Sequence, residues 1–212
     1  MTLQEVLETT GTCRFYRSDP VPTDVLSRVL DAARFAPSGG NRQPVRFIAV
    51  RDGEKKRTLK KWYLPIWENY AARIKQAAPS DQVRTRMLEN ADHFTHHLDE
   101  VPVMLVVCAV LSDILPTDQG LDRLSIVGGA SVYPAVQNVL LKAREEGLGT
   151  ALTTLLCMVE PQVKGLLRIP DGIATAAMIT LGYPAKPFPK RLRRRPLADL
   201  AFADAYGQPL VS

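Results

Sequence analysis

Residues 36–50, Ala-Pro-Ser-Gly-Gly-Asn-Arg-Gln-Pro-Val-Arg-Phe-Ile-Ala-Val, set small and polar residues directly before an apolar run. Such residues serve a tight helix-to-strand connection. They serve equally well as a cradle, where backbone and short side chains press against a flat or anionic ligand. Near the other end, Lys190, Arg191, Arg193, Arg194 and Arg195 crowd into Lys-Arg-Leu-Arg-Arg-Arg. Guanidinium forks suit phosphate oxygens; a solvated tail is the other use of such a run. Single-stranded nucleic acid would call for aromatics interleaved with the cations, and these are missing. His93 and His97 share a helix face, and Asp92 or Glu100 would complete a metal set. Phe94 stands where a zincin carries Glu, so an exposed or pocket-lining helix is the preferred reading. No Ser-His-Asp or Cys-His arrangement matches a catalytic motif. No Gly-x-Gly-x-x-Gly follows a strand, which argues against a Rossmann site.

The elements that must position these groups are helices and a few strands. Residues 2–9 and 19–37 carry helical spacing, the second capped by Thr23 or Asp24. Val45–Val50 reads as a strand. Residues 54–77 and 80–98 read as two charged helices, divided at Pro79 with Asp81 near the second start. Val101–Leu111 is a continuous apolar run, as expected of a strand buried on both faces. Residues 120–146 carry a long helical pattern ending at Gly147. A strand-like stretch over 148–156, a short helix near 160–168 and a buried strand from Gly172 follow. Gln137 and Asn138, amid apolar neighbours, read as satisfied core polar groups. The pattern predicts an α+β fold, a central mixed sheet flanked by helices, in one domain over 1–212. Residues 52–99 form a helical excursion and 184–212 an extended arm.

The chain has 212 residues, 46% hydrophobic and 23% charged, with a formal net charge of +5. That is enough to bury a core without disulfide staples. Cys13, Cys108 and Cys157 form an odd, dispersed set, which fits a reduced cytoplasmic protein. The N-terminal stretch is an acidic amphipathic helix pattern rather than a signal peptide, and no apolar run reaches membrane-spanning length.

The stretches 13–50, 136–154 and 163–200 resemble, in order and spacing, the nitroreductase family of FMN-dependent oxidoreductases. The resemblance implies a homodimer with FMN at the subunit interface. Thr12 and Arg14 match the end of that family's Arg-Arg-Ser-x-Arg phosphate and ribityl motif. Thr10 and Gly11 replace its two leading basic residues. Pro37, Ser38, Gly39, Asn41 and Gln43 match positions that lie against the flavin of the neighbouring subunit. Leu148, Gly149 and Thr150, following Gly147, would present backbone N–H groups near flavin N5 and O4. Arg193, Arg194 and Arg195 would close on the phosphate. Trp62, Tyr63, Trp67 and Tyr70 either pack or form a lid over the ring, and Glu68, Tyr70 and Lys75 are the residue types of a deiodinase lid. The implied reaction is ping-pong hydride transfer from NADH or NADPH to a small aromatic acceptor, a nitro compound or quinone. The cofactor would carry the chemistry, with no dedicated protein acid–base pair. Reductive dehalogenation, flavin fragmentation and a non-catalytic flavin-storage role are the rival readings.

Overall fold

In the computed structural model, which describes residues 1–77 and 82–210, the chain forms six α-helices and four strands. In order these are α1 (Leu3–Thr9), α2 (Thr23–Asp31), β1 (Val45–Val50), α3 (Gly53–Ala77), α4 (Gln82–His96), β2 (Val103–Val110), α5 (Tyr133–Glu145), β3 (Gly149–Thr153), α6 (Glu160–Leu167) and β4 (Ile173–Gly182). The expected break at Pro79 and Asp81 lies outside the described residues.

Strand β2 is the spine, and its apolar run predicts why. Side chains alternate across a strand. Val103, Leu105, Val107 and Ala109 therefore pack on one face with Leu26 and Val29 of α2 and Val136 and Val139 of α5. Met104, Val106 and Cys108 pack on the other with Leu59 and Trp67 of α3 and Leu88 and Phe94 of α4. The fold is thus a sheet between two helical layers, as the α+β reading expects. The sheet order is β1-β2-β4-β3, and all three strand pairs are antiparallel. The parallel component of the expected mixed sheet is confined to one bridge, Thr12 to Thr150.

Helix α1 starts on a capping box, with Thr2 accepting from the Glu5 amide and the Glu5 carboxylate accepting from the Thr2 amide. Helix α2 has Pro22 at its N-cap instead of Thr23 or Asp24. Those side chains are engaged elsewhere: Arg51 donates to the Thr23 hydroxyl at 3.0 Å and Asp24 pairs with Arg28 at 2.9 Å. The long helix expected over 120–146 begins only at Tyr133. The buried Asp118 carboxylate prevents an earlier start by accepting from the Ser125 hydroxyl, the Ile126 amide and Arg123, which winds 118–126 into turns. Helix α5 does end as expected, at Gly147 with φ 77° and the Leu148 amide donating to the Ala143 carbonyl at 2.8 Å. Asn138 is satisfied by the Ala32 carbonyl, whereas Gln137 is exposed and not a core group. Beyond β4 the arm contains one 3-10 turn at Leu197–Asp199 and a bridge between Phe202 and Pro209, and exposes Leu197, Leu200 and Tyr206. No described helix is long and apolar enough to cross a membrane.

Candidate functional site

Residues 12–17 are threaded between two neighbours. The Cys13 amide donates to the Thr150 carbonyl at 2.7 Å, and the Ala185 amide donates to the Phe15 carbonyl at 2.9 Å. These bonds extend the sheet past β3 and set Thr12 exposed and Arg14 half-buried. Arg14 makes no hydrogen bond or ion pair with any described residue, and burial disfavours its charge. A guanidinium rarely goes half-buried without an acceptor.

Arg14 and Thr12 line a cavity of about 440 Å³ whose other walls are Tyr63, Trp67 and Tyr70 of α3, Leu88 and Phe94 of α4, and the turn Leu152–Leu155. That volume falls in the range of small-molecule sites, roughly 300–1,000 Å³. Arg14 is the one charged residue among the described walls. The Tyr63 hydroxyl is 3.0 Å from the Thr153 hydroxyl, which also accepts from the Leu155 amide at 3.4 Å, so α3 pins the turn where β3 ends. Burial pushes the Tyr63 phenol up, and Thr153 partly opposes it. The cavity is therefore a mostly apolar slot with one cation and several hydroxyls.

Leu148, Gly149 and Thr150 are not among its walls. Leu148 and Thr150 are 1% and 5% exposed, and Gly149 is buried beside Gly182 in the sheet. A Cβ on Gly149 would stand 2.6 Å from Cβ and Sγ of Cys13. The glycine is thus required where residues 12–14 cross β3. The stretch that reaches the cavity is Leu152–Leu155. Its signal in the sequence is the Thr153-Thr154 pair at the exit of a strand.

The 37–43 segment is elsewhere. Pro37, Gly39, Asn41 and Gln43 are exposed and Ser38 half-buried. The Gly39 amide donates to Ser131 Oγ and the Gln43 amide to Ser38 Oγ, both at 3.0 Å. Gly40, Asn41 and Gln43 take φ of 59°, 53° and 50°. Left-handed backbone at two non-glycine residues costs more than an ordinary connection requires, and such strain concentrates at functional sites. Ser38 and Gln43 line a separate cleft of about 200 Å³ with Phe47 and Ala135. This segment leads into β1, at Val45, level with Ala109 of β2; Thr150 is level with Leu181 and Val103. The two places are three strand spacings apart, about 14 Å, and six residues apart along β2, about 20 Å. One protomer does not bring them together.

The comparisons agree with this architecture. The Nitroreductase family profile matches residues 7–183. The chain belongs to the Nitroreductase family. It is 31% identical over 181 residues to the 5,6-dimethylbenzimidazole synthase of Rhodospirillum rubrum, covering 83% of this chain and 79% of that protein. It is 30% identical over 199 residues to the NADH dehydrogenase of Thermus thermophilus, covering 82% of each. The solved structure of oxidised iodotyrosine deiodinase bound to FMN and 3-iodo-L-tyrosine is similar at a TM-score of 0.68 and 25% identity, over 92% of this chain and 96% of that one. The chain spans 62% of the length of rat iodotyrosine deiodinase 1.

In this chain the arm explains Gly11. A Cβ there would meet Pro189 Cγ at 3.0 Å and Leu192 Cδ2 at 3.3 Å, so the glycine lets the arm pass over the 10–12 turn. Glu8 holds the crossing: its carbonyl accepts from the Leu192 amide at 2.8 Å and its carboxylate pairs with Arg191 at 3.3 Å. Arg193, Arg194 and Arg195 follow at once and are exposed. Of the arm cations, Arg191 is therefore engaged within the protomer. His93, His96 and His97 belong to no group of three or more metal-ligating side chains among the described residues.

Proposed function

We propose that this nitroreductase-family chain is an FMN-dependent oxidoreductase. As a homodimer it would pass hydride from NADH or NADPH to a small aromatic acceptor, such as a nitro compound or a quinone. The observation that carries this reading is Arg14, an unpartnered, half-buried guanidinium facing an apolar slot. The donor set fits FMN: a cation and the Thr12 hydroxyl for its polar chain, aromatic walls for its ring, and the 152–155 backbone for its polar edge. The deiodinase structure, a relative at 25% identity, contains that cofactor.

FMN supplies hydride acceptance and delivery when bound. The protein's own residues bind and orient. Arg14 offers charge-assisted hydrogen bonds, and Arg193, Arg194 and Arg195 add exposed positive charge just past the Gly11 crossing. Tyr63, through Thr153, holds the 152–155 turn in place. Trp67 is fixed in turn by its Nε1, which donates to Asp92 at 3.2 Å and ties α3 to α4 behind that wall. Pro37, Ser38, Gly39, Asn41 and Gln43 serve the second protomer's slot, since they lie far from the slot of their own. Leu148, Gly149 and Thr150 support the site from within the sheet. No carboxylate lines the slot among the described residues, which leaves an amino-acid substrate's ammonium group without a partner and favours the nitro-compound or quinone reading over dehalogenation.

The test is direct. The purified protein should be yellow or take up FMN with saturation, and NADH or NADPH added anaerobically should bleach the flavin band. A nitroaromatic or quinone should then restore the colour faster than 3-iodotyrosine does. Protein that stays colourless with excess FMN refutes the reading.

A further inference from the structure

The Arg14 side chain has no protein partner to aim it, so its direction comes from its backbone. We propose that Tyr16, acting through the Cys13 carbonyl, is the positioning residue that aims the Arg14 guanidinium into the flavin slot. Tyr16 is not itself among the described walls of that slot. The proposal rests on the flavin reading and adds to it a residue that touches neither ring nor phosphate.

The Tyr16 hydroxyl stands 2.9 Å from the Cys13 carbonyl and 2.8 Å from Thr180 Oγ1. A phenol carries one proton, and a carbonyl can only accept. Tyr16 therefore donates to Cys13, and its oxygen accepts from Thr180. Thr180 is fully buried in β4, level with Met104 of β2 and Ala151 of β3. One hydroxyl thus ties residues 13–16 to the centre of the sheet. The ring is seated as well. A Cβ on Gly182 would stand 3.1 Å from Tyr16 Cδ1, and the next residue, Arg17, donates its amide to the Tyr183 carbonyl at 2.9 Å. Burial pushes the Tyr16 phenol well above its usual range, so it stays a donor at neutral pH.

The Cys13 carbonyl and the Arg14 amide belong to one planar peptide unit. A bond that holds the oxygen therefore fixes the plane from which Arg14 departs. The flanks of that unit are held too. The Cys13 amide donates to Thr150, and the Phe15 carbonyl accepts from the Ala185 amide at 2.9 Å and from the Cys13 thiol at 3.3 Å. Ordering an arginine on a ligand costs side-chain entropy. A preset departure direction reduces what binding must still order.

Tyr16→Phe removes the hydroxyl and keeps the ring. FMN affinity, read by fluorescence titration, should fall about three- to tenfold, the effect of one lost hydrogen bond. In an Arg14→Met background the same change should alter FMN affinity by less than about twofold, because the coupled partner is gone. The urea midpoint of the flavin-free protein should fall equally in both backgrounds. Thr180→Val removes the bond on the far side of the hydroxyl, and its smaller affinity loss should depend on Arg14 in the same way. Without FMN, the heteronuclear NOE of the Arg14 amide should drop in Tyr16→Phe, while that of Val107 in β2 should not. No affinity loss, a loss of equal size with and without Arg14, or an unchanged Arg14 amide overturns the proposal and leaves the flavin reading standing. FMN binding untouched by Arg14→Met overturns that reading of Arg14, and the proposal with it.

Discussion

Gly149→Ala tests the packing that sets Arg14 in place. The new methyl carbon would stand 2.6 Å from two atoms of Cys13, with Pro184 Cβ at 3.5 Å on another side. Non-bonded carbons settle about 3.5–4.0 Å apart, so roughly 1 Å of overlap must be relieved against both Cys13 atoms. The strand has little room to yield: Gly149 is paired with Gly182, and Thr150 holds Cys13 through a 2.7 Å hydrogen bond. Overpacking of this kind costs about 1–3 kcal/mol, and in a protein of this size each kcal/mol lowers Tm by roughly 2–4 °C. The remaining route of relief is displacement of residues 12–14, so FMN affinity should fall together with stability. Urea unfolding and fluorescence titration with FMN measure the two effects. Cys13→Gly removes both clashing atoms, so the double variant should be more stable than the sum of the single effects allows. A Gly149→Ala protein with an unchanged urea midpoint, or a double variant whose losses simply add, refutes the close crossing.

Arg14→Met should weaken FMN binding about tenfold to a hundredfold, because hydrogen bonds to a charged group contribute about 1.5–3 kcal/mol. The FMN-free protein should lose no stability, since Arg14 has no protein partner to abandon; titration and thermal unfolding separate the two. Arg28 and Lys142, at 2.9 and 2.8 Å, hold the Glu146 carboxylate down from 4.5 to about 2. A lowered carboxylate stabilises the fold above its unfolded value and loses that contribution as pH falls through its folded one. Glu146→Gln should therefore be less stable than the parent at pH 7, with the difference shrinking between about pH 4.5 and pH 2 in a series of urea midpoints. Deletion of residues 196–212 removes the exposed Leu197, Leu200 and Tyr206, apolar groups that would dock on the partner protomer, and should raise the dimer dissociation constant in sedimentation equilibrium; an equally tight dimer refutes that docking.

Local patterns were legible in the chain because they depend on near neighbours. The alternation and unbroken apolarity of 101–111 announced a doubly buried strand, the spacing of 54–77 a helix, and Gly147 a left-handed helix end. The turn at 37–43 and the basic run at 190–195 were visible as types of residue in a pattern, and their order along the chain was enough to suggest the family. What the pattern misread was whatever a distant or competing partner decides. The helical spacing of 120–132 lost to the buried Asp118 carboxylate, which captures the backbone and side chains seven or eight residues on. At Gly149, which the resemblance set beside the flavin through its backbone N–H, the pattern could not show a further constraint: Cys13, brought against it only when the N-terminal segment pairs with β3.

The sequence alone determined the residue chemistry: one arginine after a threonine, a small-residue turn, an arm of guanidinium groups and an aromatic helix. Only the tertiary structure decided which of these share a space. The sheet order sets the 37–43 turn and Arg14 at opposite corners, so a ring touched by both must lie between two copies of the chain. It also set the Tyr16 hydroxyl against Thr180, though the two are far apart in the sequence. Periodicity reports how each residue relates to its neighbours within a turn or a strand; it carries no information about which strand edges meet.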